Sequence, residues 1–332
     1  MKILVTGGAG FIGSHACEAL VAQQHTVVAL DSFDSFYSPE QKRRNLAGLL
    51  PHPRFRLVEG DYGDRIKVSK LLEVERFDVV LHLAAQAGVR PSLKDPLRYE
   101  QVNVSNLVAL LEAMRAHGPK RIVAASSSSV YGNCTPAPFR EDAPCMQPIS
   151  PYGATKRASE IFLGTYSGLY GFEVTIVRPF TVYGPRQRPD MAIAPFTRKI
   201  LIGEPLTLYG DGSTARDYTF VSDIVAGLLA AVQTKRNALA IYNFGAGFPI
   251  SLTELVRKLE AITGRTARIQ REPLPPGDVL RTYADISNAK KNLGFEPRVG
   301  LQEGLEKTVA WVRAELDREK SLGSSGEKQI KA

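Results

Sequence analysis

Cysteine is scarce in this chain of 332 residues. The three cysteines, Cys17, Cys134 and Cys145, are an odd number and show no C-x-x-C spacing. A disulfide framework needs paired cysteines, and structural zinc sites need closely spaced ligand pairs. The sequence therefore argues against both, and we expect no metal site and a reducing compartment.

Long apolar segments are also lacking. No run of residues approaches the roughly 20 apolar positions that a membrane-spanning helix needs. The chain enters a predicted strand at once, over Lys2 to Val5, without the apolar stretch that is typical of a signal peptide. We therefore expect a cytoplasmic protein with no membrane partner.

The positive charge of the chain is not concentrated anywhere. The formal net charge is +8, but the Lys and Arg residues are spread along the sequence, and no predicted helix carries a basic stripe. Proteins that bind nucleic acids usually cluster such residues on one face. An anionic small substrate explains a mild cationic excess equally well, so we expect no nucleic-acid partner.

Short apolar runs alternate with amphipathic segments through the first half of the chain. This alternation is typical of a parallel sheet that is covered by helices on both faces. The sequence thus predicts an α/β fold with a Rossmann-type doubly wound parallel sheet. The strands predicted for it are residues 3–5, 27–30, 55–58, 79–83 and 121–125, and the predicted helices include 11–23 and 102–117.

A glycine-rich turn follows the first predicted strand. The pattern G-x-x-G-x-x-G runs through Gly7, Gly10 and Gly13 and opens the first predicted helix. Glycines let the backbone approach a pyrophosphate, whose charge the helix N-terminus favours. The second strand ends at Asp31, where a carboxylate accepts from a ribose diol and repels a 2′-phosphate, which favours NAD over NADP. An ordinary turn-capping aspartate is the alternative.

Tyr152 and Lys156 form a candidate acid/base pair. They follow Ser150-Pro151, a predicted helix start, and their spacing of four residues makes them project together. A free tyrosine has a pKa of roughly 10, which is too high for a base at neutral pH. A neighbouring ammonium, aided by a positive nicotinamide, favours phenolate, so we expect Lys156 to lower the pKa of Tyr152. The alternative is a surface Tyr and Lys.

The second half of the chain is predicted to form shorter elements than the first. Prolines at positions 179, 185, 189, 195 and 205 divide it into shorter elements. We expect an NAD-binding Rossmann domain over residues 1–178, to which about 215–246 return, and a smaller C-terminal α/β substrate-binding lobe over 179–316. Residues 317–332 are polar and rich in Gly, Ser and Lys, so we expect a disordered tail.

Together with Arg216-Asp217-Tyr218, these motifs resemble the extended short-chain dehydrogenase/reductase family, the nucleotide-sugar epimerases and dehydratases. The resemblance covers the chain from Met1 to about Leu316. It implies resident NAD, a UDP- or dTDP-sugar in the C-terminal lobe and a homodimer. It also places the hydroxyl that assists the tyrosine on Ser127, which completes the expected catalytic set of Ser127, Tyr152 and Lys156.

The resemblance also narrows the reaction. Sugar 4,6-dehydratases carry an Asp-Glu pair before Val-Tyr-Gly, and UDP-glucuronate decarboxylases carry a Glu at the second position. This chain has Ser128 and Ser129 there, so elimination and decarboxylation both lack an acid that they use. Residues 178–191 are similar to those of UDP-glucuronate 4-epimerases. The resemblance therefore implies 4-epimerisation of a UDP-sugar, UDP-glucuronate first.

An enzyme that epimerises a uronate must prevent decarboxylation, because oxidation at C4 makes a β-keto acid that tends to lose carbon dioxide. Hydroxyls of Ser128, Ser129 and Thr181 are placed to hold the carboxylate in an unreactive orientation, each neutral hydrogen bond contributing about 1 kcal/mol. Arg216 is expected on the diphosphate and Asp278 on the uridine ribose. The expected substrate contacts are Arg90, Ser127, Ser128, Ser129, Thr181, Arg188, Arg216 and Asp278.

Other cofactor contacts rest on weaker signals. Asp61 is placed to accept from the adenine amine, although a turn aspartate would look the same. Lys42 is placed near the adenosine, with a solvated helix face as its alternative. The expected NAD contacts are Gly7, Gly10, Phe11, Ile12, Gly13, Asp31, Lys42, Asp61, Tyr62, Leu83, Ala84, Ala85, Gln86, Asn103, Tyr152, Lys156 and Pro179.

Three other functions stay open at the level of sequence. One is a 4-epimerase for UDP-glucose or UDP-N-acetylglucosamine, and a second is a UDP-glucuronate decarboxylase. The third, from another class, is an NAD-binding regulatory protein with an inactive site. The intact set of Ser127, Tyr152 and Lys156 speaks against the third function.

Overall fold

A computed structural model describes residues 1–133, 136–143, 147–235, 238–275 and 277–329. Cys134 and Cys145 lie outside the described residues, and Cys17 is a buried free thiol. The strands are Lys2–Thr6 (β1), Thr26–Asp31 (β2), Phe55–Glu59 (β3), Val79–His82 (β4), Arg121–Ala125 (β5), Glu173–Pro179 (β6), Thr181–Tyr183 (β7), Leu206–Tyr209 (β8), Ala215–Phe220 (β9), Ala240–Phe244 (β10), Pro249–Ser251 (β11) and Ile269–Glu272 (β12).

Helices connect most of these strands. A π-helical turn at Gln101–Ser105 precedes one of them, and a 3₁₀ turn lies at Ser128–Tyr131. The α-helices are Phe11–Ala22 (α1), Pro39–Leu46 (α2), Arg65–Glu75 (α3), Val89–Lys94 (α4), Pro96–Glu100 (α5), Asn106–His117 (α6), Pro151–Tyr170 (α7), Ile193–Ile202 (α8), Val221–Gln233 (α9), Leu252–Thr263 (α10), Ser287–Leu293 (α11) and Leu301–Gln329 (α12).

A seven-stranded parallel sheet forms the centre of the molecule, in the order β10-β6-β5-β4-β1-β2-β3. Its side chains alternate between two cores, so that Ile3 and Val5 of β1 pack on one face and Leu4 on the other. Helices α1 and α9 contact each other, as do α3 and α6. The predicted doubly wound α/β fold is confirmed.

Two smaller sheets follow in the C-terminal half. Strands β11, β9 and β7 form a three-stranded sheet, and β12 pairs with β8. The chain returns to the large sheet in between, because β10 pairs in parallel with β6 from Ala240↔Thr175 to Phe244↔Pro179. In the large sheet, β10 therefore lies next to β6, although it begins more than 60 residues after β6 ends.

Two helices begin at serine caps, and the first of them, at Ser150, was predicted from the sequence. The hydroxyl of Ser150 accepts a hydrogen bond from the Gly153 amide at 3.1 Å, and Pro151 occupies the first turn of α7. The hydroxyl of Ser251 accepts from the Glu254 amide at 3.1 Å at the start of α10. Each cap satisfies an amide that the helix itself leaves without a partner.

The C-terminal segment differs from the expectation. We predicted disorder from residue 317, but α12 continues to Gln329, and residues 330–332 lie outside the described part of the chain. Glu, Lys and Arg are good helix formers, so a polar composition is also that of a solvent-facing helix. Arg198 of α8 pairs with Glu319 at 2.7 Å and supports the first turn of this extension.

None of the helices in the described residues is both long enough and apolar enough to cross a membrane. Within the same residues, no three His, Cys, Asp or Glu side chains are grouped to hold a metal ion.

Candidate active site

The glycine turn between β1 and α1 lies against the backbone that follows β4. Gly7 has a φ of +71°, and a Cβ there would lie 2.8 Å from the Ala84 Cα. A Cβ on Gly13 would lie 2.0 Å from the Gly7 carbonyl oxygen. Among the described residues no side chain caps α1 at Gly10. The turn thus fits a dinucleotide, whose pyrophosphate can approach bare backbone at a helix start.

Asp31 binds this turn from the end of β2. Its carboxylate accepts from the Ala9 amide at 3.0 Å and from the Phe33 amide at 2.8 Å, and the residue is buried. Turn capping, the alternative that we named for Asp31, therefore occurs in the structure. Each carboxylate oxygen can accept more than one hydrogen bond, so capping does not prevent a contact with a ribose diol. Asn45, which sequence reasoning missed, donates to the Ala9 carbonyl at 3.0 Å.

Lys42 does not lie on a solvated helix face, the alternative that we considered for it. Its side chain is buried, its Nζ donates to the Asp34 carbonyl at 2.8 Å, and it lies 4.7 Å from the centre of the Tyr37 ring. Burial lowers the pKa of this amine. The short segment before α2 is therefore held by its own lysine.

Other predicted cofactor residues are held by contacts within the chain. Asp61 accepts from the Gly63 amide at 2.7 Å, and the Tyr62 hydroxyl donates to the Val102 carbonyl. Phe11 is buried, while Ile12 and Leu83 pack partly against the core, and Pro179 ends β6. Asp61 thus stabilises the turn after β3, and the hydroxyl of Tyr62 already donates a hydrogen bond within the chain.

Asn103 fixes the segment that follows β4. Its side chain accepts from the Gln86 amide at 2.8 Å and donates to the Gln86 carbonyl at 2.9 Å. It also donates to the Thr155 hydroxyl at 3.0 Å. Residues Leu83 to Gln86 are therefore tied both to the π-helical turn at Gln101–Ser105 and to α7.

The structure brings Ser127, Tyr152 and Lys156 together at the carboxyl end of β5. The Ser127 side chain is close enough to Tyr152 to lower the pKa of its phenol, and it accepts a hydrogen bond from the Ser129 amide at 3.1 Å. Lys156 lies one turn after Tyr152 on α7, and its Nζ donates to the Ala125 carbonyl at 2.8 Å. All three side chains thus lie around the end of one strand.

The pKa values of the pair differ from our expectation. Burial raises the pKa of Tyr152, and this outweighs the lowering by the Ser127 hydrogen bond and by the charge of Arg188. Burial also lowers the pKa of Lys156 to about 8. We expected Lys156 to lower the pKa of Tyr152; in the structure, the loss of solvation of the phenol is the larger effect.

The serines and Arg188 approach the phenol from separate segments. Ser127 donates to the Ser129 hydroxyl at 3.2 Å, and Ser128 begins the 3₁₀ turn. Arg188, in the loop after β7, pairs with Asp190 at 2.9 Å. Thr181 begins β7, and no hydrogen bond among the described residues joins it to the serines. Ser127, Ser129 and Arg188 are thus grouped around Tyr152, while Thr181 stays a prediction.

A second cluster contains the residues expected at the UDP end. Arg90 donates to the Asp278 carboxylate at 2.8 Å and stacks 4.0 Å from the centre of the Tyr209 ring. Arg216 is partly buried, which lowers its pKa, and its Nη1 donates to the Ala215 carbonyl at 3.0 Å. Arg90, one of the expected substrate contacts, is therefore bound to the residue expected at the uridine ribose.

Comparison with known proteins agrees with this geometry. The model of the NAD dependent epimerase/dehydratase family matches residues 3–245. The chain belongs to this family. UDP-glucuronate 4-epimerase 3 of Arabidopsis thaliana is 43% identical over 327 residues, which cover 93% of this chain and 76% of that protein. UDP-glucuronate 4-epimerase of Thermodesulfobacterium geofontis is 39% identical over 320 residues, which cover 96% and 98%.

A solved structure is also similar over nearly its whole length. The UDP-glucuronic acid 4-epimerase of Bacillus cereus, in complex with UDP-glucuronic acid and NAD, is 38% identical to this member of the epimerase/dehydratase family. The TM-score is 0.89, and the match covers 95% of this chain and 99% of that one.

Beneath the active site of this epimerase/dehydratase lies a charged network that sequence reasoning missed. Glu160, one turn after Lys156 on α7, accepts from Arg178 of β6 through both carboxylate oxygens at 2.8 Å. It also accepts from the Ser126 hydroxyl at 2.6 Å. Glu160 and Arg178 are almost fully buried. The signal in the sequence was an arginine inside the otherwise apolar strand 174–178.

Proposed function

We propose that the protein is an NAD-dependent UDP-glucuronate 4-epimerase, an isomerase that interconverts UDP-glucuronate and UDP-galacturonate. The observation that carries this proposal is Ser129, whose hydroxyl hydrogen-bonds the hydroxyl of Ser127 at 3.2 Å, next to Tyr152. It puts hydroxyl groups beside the phenol, where an eliminating or decarboxylating enzyme would need an acid. Relatives that carry the name UDP-glucuronate 4-epimerase match more than nine tenths of the chain.

The residues of the cofactor site suit NAD. The glycine turn and the start of α1 receive the pyrophosphate, and Asp31 at the end of β2 receives the adenosine ribose. Asn103 shapes the passage over Leu83 to Gln86. When bound there, NAD would accept the hydride of the sugar C4 and return it.

Tyr152 and Ser127 carry the proton transfer. Tyr152 takes the proton of the 4-hydroxyl and later gives it back, while the Ser127 hydrogen bond orients the phenol and lowers its pKa. Lys156 is fixed by the Ala125 carbonyl one turn away, where its ammonium stabilises negative charge on the phenol. The 4-keto sugar then rotates before it is reduced on its other face.

The sugar carboxylate and the UDP are held at opposite ends. Ser128, Ser129, Thr181 and Arg188 hold the carboxylate so that its bond to the ring does not overlap the ketone. Arg216 binds the diphosphate, because a partly buried guanidinium fork suits phosphate oxygens. The Arg90–Asp278 pair closes the uridine end.

This assignment divides the chain as the sequence suggested. Residues 1–178, with about 215–246, bind NAD, and residues 179–316 bind the UDP-sugar. We further propose a homodimer, since α7 exposes Ile161, Phe162 and Leu169, of which Leu169 is 69% exposed. A cytoplasmic location fits the free thiol of Cys17.

Incubation of the purified protein with UDP-glucuronate, with separation of UDP-galacturonate from UDP-pentose, tests the function. We expect UDP-galacturonate as the main product and little UDP-xylose. Conversion of UDP-glucose without any conversion of UDP-glucuronate would assign the protein to the neutral hexoses instead. UDP-xylose as the main product would make it a decarboxylase.

A further inference from the structure

Arg188 is already paired with a carboxylate of its own chain. Its Nε lies 2.9 Å from Asp190 Oδ1, and its Nη2 lies 2.9 Å from Asp190 Oδ2. Both side chains are about one fifth exposed, at 22% and 20%. This is the parallel two-point geometry that makes Arg–carboxylate pairs strong and selective. Within the described residues, Asp190 is the carboxylate that pairs with Arg188.

The pair lies beside α4, the helix that contacts the catalytic tyrosine. A Cβ on Gly88, at the start of α4, would lie 3.1 Å from Asp190 Oδ2, and the Ser92 hydroxyl of α4 accepts from the Tyr152 amide at 3.1 Å. Burial raises the pKa of Tyr152, the Ser127 hydrogen bond and the Arg188 charge lower it, and the Asp190 charge raises it. Tyr99, whose ring meets that of Tyr152 edge-on at 6.2 Å, is affected by the same two charges. Arg188 and Asp190 therefore act on the place where the sugar reacts.

The backbone around the pair is fixed to α1. Arg186 has a φ of +67°, and its guanidinium binds Glu18 at 2.7 Å and the Ser14 hydroxyl at 3.2 Å. His15 hydrogen-bonds the Pro185 carbonyl at 3.1 Å. An unfavourable backbone conformation persists only where its surroundings hold it. Any exchange of partners at Arg188 is therefore a rotation of side chains and not a movement of the loop.

We propose that Asp190 is a specificity-determining residue, whose carboxylate holds Arg188 until the carboxylate of a uronic acid sugar takes its place. The proposal rests on the function proposed above. One guanidinium fork receives one carboxylate in the two-point geometry, and a second carboxylate would leave negative charge in a mostly buried site. A neutral hexose has no carboxylate that could replace Asp190. Arg188 therefore stays paired with Asp190 and adds nothing to the binding of the hexose.

The test compares the binding of UDP-glucuronate and UDP-glucose by calorimetry. Both are measured in NAD-loaded Tyr152→Phe protein, in which turnover is reduced at least about 10²-fold, with and without Asp190→Asn. Because the competing carboxylate is gone, we expect the Kd for UDP-glucuronate to fall about three- to tenfold, the range for one partly exposed ion pair. The Kd for UDP-glucose should change by less than about twofold.

A double-mutant cycle isolates the role of the pair. In an Arg188→Met background, Asp190→Asn should no longer change the preference for UDP-glucuronate. Unchanged or weaker binding of UDP-glucuronate after Asp190→Asn alone would overturn the proposal, and so would equal tightening of both ligands. If the Asn variant loses its NAD, Asp190→Ser is measured in its place. Turnover of UDP-glucuronate by the unmutated protein reports on the proposed function separately, since it does not depend on Asp190.

Discussion

At the scale of single residues, burial has opposite effects on the two central groups. It disfavours the charged form of each, so it raises the pKa of the Tyr152 phenol and lowers that of the Lys156 amine. The Ser127 hydrogen bond and the Arg188 charge both favour phenolate at Tyr152. In the structure, therefore, a serine and an arginine lower the pKa of Tyr152, whereas the sequence motif emphasises the lysine.

Replacing Tyr152 by Phe should reduce the conversion of UDP-glucuronate by about 10²- to 10⁴-fold, the usual contribution of a positioned acid/base group. The fold and the bound NAD should be unaffected, because the ring itself stays. Tyr99→Phe is the matched control, since Tyr99 packs against Tyr152 and its hydroxyl donates to the Ala87 carbonyl at 2.8 Å. Similar losses for both variants would remove Tyr152 from its role as the base.

Lys156→Met should stabilise the protein at pH 7 and not at pH 10.5. The pKa of Lys156 is about 8 in the fold and about 10.4 in an unfolded chain. Below pH 8 both states carry the charge, and its burial costs on the order of 3 kcal/mol; as pH rises to about 10.5, this cost disappears. Denaturant unfolding of both proteins at several pH values measures the difference. A constant difference across this range would contradict the lowered pKa.

At the scale of elements, Glu160 and Arg178 fix how α7 lies against β5 and β6. The carboxylate of Glu160 on α7 accepts hydrogen bonds from two strands. The donors are Ser126, directly after β5, and Arg178 of β6. The same helix carries Tyr152 and Lys156, and the residue after Ser126 is Ser127. The network therefore helps to set the distance between the groups of the active site.

Glu160→Gln should lower the free energy of unfolding by about 3–5 kcal/mol, because it removes the negative charge that compensates the buried Arg178 guanidinium. Glu319→Gln is the control, since its pair with Arg198 is nearly half exposed and should contribute about 1 kcal/mol or less. Denaturant unfolding gives both values.

A double variant, Glu160→Met with Arg178→Met, should be more stable than Glu160→Met alone, because both charges are then removed. A double variant that is less stable than the single one would show that the two residues do not act as a pair.

At the scale of the whole molecule, the sequence predicted the large sheet well. Strands β1, β2, β4 and β5 are mostly apolar runs, as expected when both faces of a sheet are covered, and Ser150 begins a helix as its position indicated. The contacts of Lys42 and the pairing of Arg90 with Asp278 were not predictable. Each joins segments that only the fold brings together, and no periodic pattern reports such a contact.

The proposed homodimer can be tested on α7. Phe162→Glu with Leu169→Glu should convert a dimer into a monomer, because two charges would replace exposed apolar surface on one side of the helix. Light scattering after gel filtration measures the mass. Thr165→Glu, on the same side, controls for added charge without loss of apolar area. A monomeric unmutated protein would end the proposal.

The strand order of the large sheet limits where the gene can be divided. Strand β10 is encoded more than 60 residues after β6, yet it pairs with β6 along its whole length. A fragment that stops at residue 179 would expose the hydrogen-bonding groups of β6, and open strands of this kind recruit other molecules and aggregate. Chimeras that exchange the sugar-recognising region between relatives therefore need two splice points, so that β10 stays with the sheet that it completes.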